Sequence, residues 1–445
     1  MIRIANGQGF WGDWLEAPVR LVEQGPIDYL TLDYLAEVTM AVLEKQRQKN
    51  PDLGFATDFP PLIGRLAPAL RQKRIRVVSN AGGLNPGACA REVLRRAPGL
   101  KVAIVKGDNV TARIGEFVAK GHALENIDTG ETIGKIADRI LSANAYLGAF
   151  PLAQALAAGA DVVISGRCAD SALLLAPCIH EFGWKTDAWD LLAAGVTAGH
   201  IVECGTQTTG GNSQVDWRNI PDLDEIGYPI AEMEPDGTFA ITKHAGTGGR
   251  VNSDIVKEQL LYEIGDPRSY LGPDAVADFT GLCLADESPG RVRVTGARGR
   301  ERPPSLKLNI NYAAGWKAIG SLVYTAPDAI AKAQAADRIV RRRLEKLGLQ
   351  FDEIYTEYLG WNACHGQAAP PASEVPEVQV RIGVRGQDRS AVDRFTREMA
   401  PLVLSGPPGA TGYGGEGRPK VREVVGNWGA LIPRGEIQTS VEVFE

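Results

Sequence analysis

The sequence has few of the features that mark secreted, metal-binding or nucleic-acid-binding proteins. Its six cysteines among 445 residues form no CxxC pair and no Cys/His cluster at zinc spacing. The net charge is −6, and the only Lys/Arg-rich run is Arg341–Arg343, a predicted solvated helix face. These features exclude a nucleic acid or an anionic membrane surface as the main partner.

Long apolar runs are also missing. None approaches the roughly 18–20 residues that a membrane-spanning helix needs. The opening residues lack the basic segment and apolar core of a signal peptide. These absences predict a reduced, cytoplasmic protein. Only five histidines are present, which limits the choice of general base, whereas the 51 glycines fall in clusters typical of shaped loops.

One stretch, residues 160–177, has the pattern of a strand, a turn and a helix. Ala160–Ser165 is a short, β-branched, apolar run typical of a strand buried on both faces. Gly166 interrupts it, Asp170 and Ser171 are possible caps, and good helix formers begin at Ala172.

The turn of this unit carries Arg167, Cys168 and Asp170 at the carboxyl end of the strand. Ligands of open α/β sheets bind at that edge, so these side chains are candidates for chemistry. The alternative is structural: Arg167 and Asp170 pair and cap the helix, and Cys168 is buried and inert.

Four further strand–loop–helix units precede this one, which predicts an α/β fold with a doubly wound, mostly parallel sheet. The stretch Ile133–Ala158 is predicted to be helical, with a break near Gly148. The expected strands of the five units are Ile2–Ala5, Ile27–Leu32, Arg76–Ser79, Val102–Val105 and Ala160–Ser165.

Polar residues follow each of these strands, and parallel strand ends converge on one edge. A ring of Asn and Asp with permissive glycines suits a polar small-molecule pocket, although the same residues are common in ordinary turns. Gly7, Gly9 and Gly12 match the dinucleotide-binding spacing only weakly. The residues at the strand ends are Asn6, Asp33, Asn80, Asp108, Asn109, Arg167 and Asp170.

A second glycine-rich loop precedes a predicted helix that begins at Ser253. Its glycines let backbone N–H groups approach an anion, and the helix N-terminus adds partial positive charge. The lysine stands before the glycines, so this is not a Walker A loop. The alternative is a tight connection capped by Asn252 or Ser253. The loop's candidate residues are Lys243, His244, Gly246, Thr247, Gly248 and Gly249.

The pattern changes near Trp316, from which the periodicities read β-α-β-β-α-β. That order is typical of a ferredoxin-like α+β module, often a docking or dimerisation surface. We therefore expect an α/β domain over residues 1–315 and a ferredoxin-like domain over residues 316–445, with a homo-oligomer as the assembly.

Several sequence segments resemble those of the acyclic terpene utilisation family, AtuA. The resemblance covers most of residues 1–315, and the final third resembles the smaller domain found with that family. It implies degradation of acyclic terpenes through acyl-CoA thioesters, with no catalytic residues to carry over. The segments are GFWGD (Gly9–Asp13), DYLAE (Asp33–Glu37), SNAGGLNP (Ser79–Pro86), KGDN (Lys106–Asn109), GADVVISGRCADSAL (Gly159–Leu173), ECGTQTTGG (Glu203–Gly211) and KHAGTGG (Lys243–Gly249).

Two hypotheses of function follow. The first is an enzyme, a hydratase or lyase acting on a branched acyl-CoA, without metal or cofactor beyond the CoA of its substrate. Its acid–base candidates are Asp108, Asp170, Glu203 and His244, with Cys168 or Cys204 as an alternative nucleophile. The second is a non-catalytic binding or scaffold subunit of an acyl-CoA carboxylase-type assembly.

Overall fold

The computed structural model describes residues 1–371, 374–413 and 417–445. The chain forms two compact units, Met1–Asn311 with Asn427–Glu445, and Tyr312–Gly426. Both mix helices with sheets. The predicted domain boundary between residues 315 and 316 stays a prediction, but the last residues, expected in the second domain, belong to the first unit.

Helices and strands alternate along much of the described chain. The strands are β1 (Ile2–Asn6), β2 (Tyr29–Leu32), β3 (Arg76–Ser79), β4 (Val102–Lys106), β5 (Ile140–Ala145), β6 (Val162–Ser165), β7 (Pro229–Met233), β8 (Phe239–Lys243), β9 (Tyr270–Leu271), β10 (Val276–Asp278), β11 (Cys283–Ser288), β12 (Arg291–Thr295), β13 (Arg298–Arg300), β14 (Ser305–Thr325), β15 (Glu353–Leu359), β16 (Glu377–Gly386), β17 (Ala410–Tyr413), β18 (Arg422–Pro433) and β19 (Ser440–Phe444). The helices are α1 (Glu16–Gln24), α2 (Glu37–Lys49), α3 (Phe59–Lys73), α4 (Pro86–Arg96), α5 (Ile114–Ala119), α6 (Phe150–Ala157), α7 (Ala172–Phe182), α8 (Trp189–Glu203), α9 (Ser253–Leu260), α10 (Ala329–Lys346), α11 (Arg389–Phe395) and α12 (Leu402–Ser405).

The first unit is built on a ten-stranded mixed sheet, in the order β11-β12-β8-β7-β1-β2-β3-β6-β4-β19. Its central strands β1, β2, β3, β6 and β4 are mutually parallel. Residues of β2 and β6 are buried on both faces, as their apolar, β-branched sequences require. The parallel strands therefore place their carboxyl ends along one edge.

One helix prediction in the first unit is wrong. The stretch Ile133–Ala158 contains two short 3₁₀ turns, the strand β5 and then α6, rather than one interrupted helix. Ser142 and Asn144 within β5 are completely buried, and small residues dominate the strand. Tertiary burial therefore overrides the helix propensity of its alanines.

The second unit contains an antiparallel sheet in the order β15-β16-β14-β17. Alternate residues of β16 face the core, where helices α10 and α11 cover them. The core-facing residues of β16 are Val378, Val380, Ile382 and Val384, all buried. The second helix of the predicted β-α-β-β-α-β order is divided into α11 and α12.

The last strand, β19, is antiparallel to β4 at one edge of the large sheet of the first unit. Val441 lies opposite Val105, and Phe444 lies opposite Val102 and packs against the core. Within the described ranges, no helix combines the length and the apolar character needed to cross a membrane.

Candidate functional site

The polar residues that follow the parallel strands lie together at the carboxyl edge of the large sheet. Asn80 donates from Nδ2 to Asp33 Oδ1 at 2.6 Å and accepts from the Tyr34 N–H at 2.8 Å. Both side chains are buried. The amide of one strand end thus fixes the carboxyl of its neighbour, in agreement with the expected convergence.

Asp33 is a protonation site that sequence reasoning did not select for chemistry. Burial raises its pKa well above the ordinary value, and the nearby Asp170 carboxylate adds to this effect. Arg167 and Asn80 oppose it only in part. The cluster therefore contains a carboxyl that holds its proton to unusually high pH.

Arg167 links the turn after β6 to the loop after β2. Its guanidinium donates to the Asp170 carboxylate at 2.7 Å and to the Leu35 carbonyl at 2.8 Å, while its side chain is almost fully buried. Asp170 remains one-third exposed. The two residues do pair, as the structural alternative expected. Ser171, not Asp170, stands at the N-cap position of α7, and its side chain makes no capping hydrogen bond.

Tyr146 is partly buried and lies beside this ion pair. The guanidinium of Arg167 lies 4.2 Å from its ring centroid, and the Lys307 ammonium lies 4.9 Å from it. The Tyr146 hydroxyl donates to Glu37, which also pairs with Lys307 at 3.0 Å. Burial acts to raise the pKa of Glu37, but the Tyr146 hydrogen bond and the two cations lower it to about 2.

Asp108 lies under the turn rather than facing outward. Its Oδ2 accepts from the Arg167 backbone N–H at 2.9 Å and from Asn144 Nδ2 at 2.7 Å. Burial raises its pKa to about 6 despite these hydrogen bonds. A Cβ at Gly166 would lie 2.3 Å from this carboxylate, so the glycine permits the contact. These contacts favour a role in shaping the turn.

Asn6 connects β1 to the end of α8. Its Nδ2 donates to the carbonyls of Val202 and Glu203, each at 2.8 Å, and Thr31 donates to its Oδ1. Asn6 is thereby fully occupied within the chain. Its effect is to hold Glu203 at the edge where Asp33 and Asp170 lie.

Glu203 shares a proton with His200, a residue that sequence reasoning did not select. His200 Nδ1 lies 2.9 Å from Glu203 Oε1, and His200 Nε2 lies 3.2 Å from the Leu260 carbonyl. A carbonyl oxygen only accepts, so Nε2 carries a hydrogen. A hydrogen bond between Nδ1 and Oε1 needs a second proton, which belongs to the imidazole or to the carboxyl.

The surroundings of this pair keep the proton in place. Burial raises the pKa of Glu203, and the charge of Asp170 adds to it. Burial acts to lower the pKa of His200, but the hydrogen bond and charge of Glu203 raise it overall. The imidazole is held beside Tyr270 and Phe279, with ring centroids 5.0 and 5.7 Å away.

The two candidate cysteines are poor nucleophiles in this setting. Cys168 is completely buried, and burial raises its pKa far above that of a free thiol. Burial likewise raises the pKa of Cys204 to about 12. Asn109 is exposed and accepts from the Thr111 N–H and hydroxyl, which is a local turn contact.

The glycine loop lies at the same edge, because β8 runs in the direction of β1 with β7 between them. The Gly248 N–H donates to the Glu225 carbonyl at 2.9 Å, and the Gly249 N–H donates to Pro221 at 2.7 Å. Lys243 Nζ donates to the Thr247 carbonyl at 2.6 Å. These donors are already used within the chain, which favours the tight connection.

The helix after this loop is also capped internally. Asn252 accepts from the Ile255 N–H at 2.9 Å, as the structural alternative expected, and Asp286 accepts from the Ser253 N–H. At Gly246 the φ angle is +76°, which suits a glycine turn. The assignment of Lys243, Gly246, Thr247, Gly248 and Gly249 to substrate binding stays a prediction.

His244 differs from its neighbours in the loop. It is 5% exposed, and neither ring nitrogen has a hydrogen-bond partner in the described part of the chain. Burial lowers its pKa, and the charges of Arg20 and Lys243 lower it further. A neutral imidazole is therefore the stable form at neutral pH.

Sequence reasoning missed residues that act through chain-distant contacts. Asp33 had a usable signal, since it ends a strand as Asn80 does. His200 lies inside a helix pattern, and the contacts of Tyr146, Glu37 and Lys307 join segments far apart in sequence. In the described ranges, no group of three or more His, Cys, Asp or Glu side chains is arranged to hold a metal ion.

The fold and the edge cluster define a mixed α/β protein with carboxyl side chains gathered at the ends of parallel strands. A search of curated proteins and a search of solved structures each found no match. The chain belongs to the acyclic terpene utilisation family AtuA, whose family model matches residues 2–443. This membership implies a part in the utilisation of acyclic terpenes.

Proposed function

We propose that this chain is an enzyme of acyclic terpene degradation that adds water to, or removes it from, a branched acyl-CoA thioester. The observation that carries the proposal is the 2.9 Å contact between His200 Nδ1 and Glu203 Oε1, at the edge that also holds the Asp170–Arg167 ion pair. A proton donor and a carboxylate acceptor at one site are what such a reaction needs.

The reaction divides between two carboxyl groups. In the hydration direction, the Asp170 carboxylate takes a proton from water while the oxygen of that water bonds to one alkene carbon. The other carbon receives the proton that Glu203 shares with His200. The thioester conjugated to the alkene carries the transient negative charge, and the reverse order removes water.

Exposure supports this division of roles. Asp170 is about one-third exposed at 35%, and Glu203 is 12% exposed, so both are more open than Asp33 or Asp108. Burial and the Asp170 charge raise the pKa of Asp33, so Asp170 rather than Asp33 is the carboxylate paired with Arg167. Asp108 then stabilises the turn after β6 through its hydrogen bonds, and His244 is assigned no step in the reaction.

The finer description of the architecture is also a proposal. Five neighbouring parallel strands, separated along the chain by helices, support a doubly wound sheet in the first unit. The antiparallel order β15-β16-β14-β17, with a helix after β14 and another after β16, supports a ferredoxin-like second unit. The composition supports a cytoplasmic location, a small-molecule substrate and no cofactor.

The test is turnover of a panel of branched enoyl-CoA and hydroxyacyl-CoA thioesters by the purified chain, followed by mass spectrometry. We expect a product that differs from its substrate by one water. Glu203→Gln and Asp170→Asn are each expected to lower kcat by about 10²–10⁴-fold. Asp254→Asn, at an exposed carboxylate on α9, is the matched control and retains full turnover.

Two results would contradict the proposal. The first is binding of a thioester with no turnover by the intact chain, which favours the non-catalytic subunit. The second is equal turnover by the wild type and by both carboxamide variants, which removes the edge cluster from the chemistry.

A further inference from the structure

Helices α10 and α11 pack against one face of the sheet of the second unit. On the other face, three neighbouring strands arrange their side chains in rows. In the first row Lys317, Arg385 and Glu353 lie side by side. The middle row is Ile319, Gly383 and Tyr355. A third row contains Ser321, Arg381 and Glu357.

The middle row forms an apolar groove. Ile319 is 51% exposed and Tyr355 is 58% exposed, with the glycine between them providing the floor. The groove has a volume of about 390 Å³. Large apolar side chains exposed around a concave floor on a sheet are typical of an interaction surface.

Charges of both signs border the groove. Arg381 pairs with Glu357 in the third row, and Arg385 lies 3.8 Å from Glu353 in the first. Lys317 has no ion-pair partner among the residues that the structure describes. The strand at one side therefore offers a free cation, and the strand at the other side offers carboxylates.

We propose that this face binds the same face of a second copy of the chain, with a two-fold axis parallel to β16. Such an axis places β14 of one copy opposite β15 of the other. Each row then faces the same row of the second copy. Lys317 then faces the partner's Glu353, and Ile319 faces the partner's Tyr355. The proposal does not depend on the reaction proposed above.

The face is self-complementary under this rotation. Each apolar side chain meets an apolar side chain over the glycine floor, and the unpaired cation meets a carboxylate. The arginines of β16 face arginines of the partner under this axis, and each has a carboxylate of β15 beside it in its own chain. An axis perpendicular to the strands would place the first row over the third, with Glu353 on Glu357 and Lys317 on Ser321. The contact between Lys317 and a carboxylate therefore favours the axis parallel to β16.

The first test is the molecular mass in solution by light scattering and sedimentation, over a range of concentrations. We expect a dimer of the 47.7 kDa chain. Tyr355→Lys and Gly383→Leu are expected to raise the dimer Kd by about thirty-fold or more. A Cβ at Gly383 has its nearest neighbour at 3.7 Å, so a side chain can begin there in ordinary van der Waals contact and extend into the groove.

Leu404→Lys is the matched control, because that leucine is 95% exposed in the same unit. It is expected to leave the dimer intact. Circular dichroism and the melting temperature of each variant confirm that the fold is kept. A monomeric wild type, or a dimer unaffected by both groove variants, would overturn the proposal.

A charge exchange tests the orientation separately. Lys317→Glu and Glu353→Lys each place like charges opposite one another and are expected to weaken the dimer. The double variant restores the opposite-charge contact and is expected to recover most of the wild-type Kd. A double variant as weak as the sum of the two single changes would contradict the proposed axis.

Discussion

At the scale of single residues, the cluster depends on carboxyls whose environments differ more than their sequence positions suggest. Asp33 and Asp108 are buried and Glu203 is 12% exposed, and each has different hydrogen-bond partners. Asp33 bonds to Asn80 and lies near Arg167. Asp108 accepts from the Arg167 backbone N–H and from Asn144. Glu203 shares a proton with His200. The hydrogen-bond partners of each carboxyl, rather than its residue type, distinguish a structural role from a role in proton transfer.

Asp108 supplies a prediction at this scale, because burial raises its pKa to about 6. Between about pH 4 and pH 6 the unfolded chain loses this proton while the folded chain keeps it. The folded state binds more protons in that window, so Asp108 makes the free energy of unfolding fall as pH rises.

Asp108→Asn is expected to remove this contribution and to be more stable than the wild type at pH 7 by about 1–3 kcal/mol. Asn144 Oδ1 is buried without a partner, so a rotated Asn144 amide can bond the new side chain. Urea unfolding at several pH values provides the measurement. A stability difference that stays constant from pH 4 to pH 7 would contradict this assignment.

At the scale of elements, strand positions were predictable and chain-distant contacts were not. Arg76–Ser79 was predicted with its observed bounds, because a short β-branched run between polar turns suits a buried parallel strand. The helix predicted over Ile133–Ala158 failed because β5 is defined by its burial. Convergence of Asp33 and Asn80 followed from parallel topology, but the pairing of His200 with Glu203 needed the structure.

The glycine loop provides a prediction at the element scale. Lys243 Nζ is bonded to the Thr247 carbonyl, and the amides of Gly248 and Gly249 bond to carbonyls. Lys243→Ala is therefore expected to lower the free energy of unfolding by about 0.5–1.5 kcal/mol and to change CoA thioester affinity less than about two-fold.

Calorimetry and urea unfolding of both chains provide the readouts. Lys257→Ala is the control, since Lys257 is an exposed lysine on the helix that follows. A fall in affinity of ten-fold or more with unchanged stability would contradict the tight connection and restore the anion-binding interpretation.

At the scale of the whole chain, the last strand belongs to the first unit although its sequence follows the second. β19 pairs with β4, whose outer edge would otherwise have no partner strand in the large sheet. Periodicity identified a strand in this region, but no local pattern shows which sheet a strand joins.

Removal of residues 440–445 is expected to lower the free energy of unfolding by about 2–4 kcal/mol and to promote aggregation through the exposed β4. Removal of Glu445 alone is the control, because this residue lies beyond β19. Thermal melting with simultaneous light scattering measures both effects. A shortened chain that melts and remains dispersed like the full chain would contradict the structural role of β19.

In the proposed function, the carboxyl cluster moves protons while water adds to an acyl-CoA thioester. The most direct measurement is incorporation of heavy oxygen from labelled water into a hydroxyacyl-CoA product, read by mass spectrometry. The wild type and Asp254→Asn are predicted to incorporate one labelled oxygen per turnover, and Glu203→Gln is predicted to incorporate about 10²–10⁴-fold more slowly with its fold intact. Label incorporation at the same rate in Glu203→Gln and the wild type would contradict the claim.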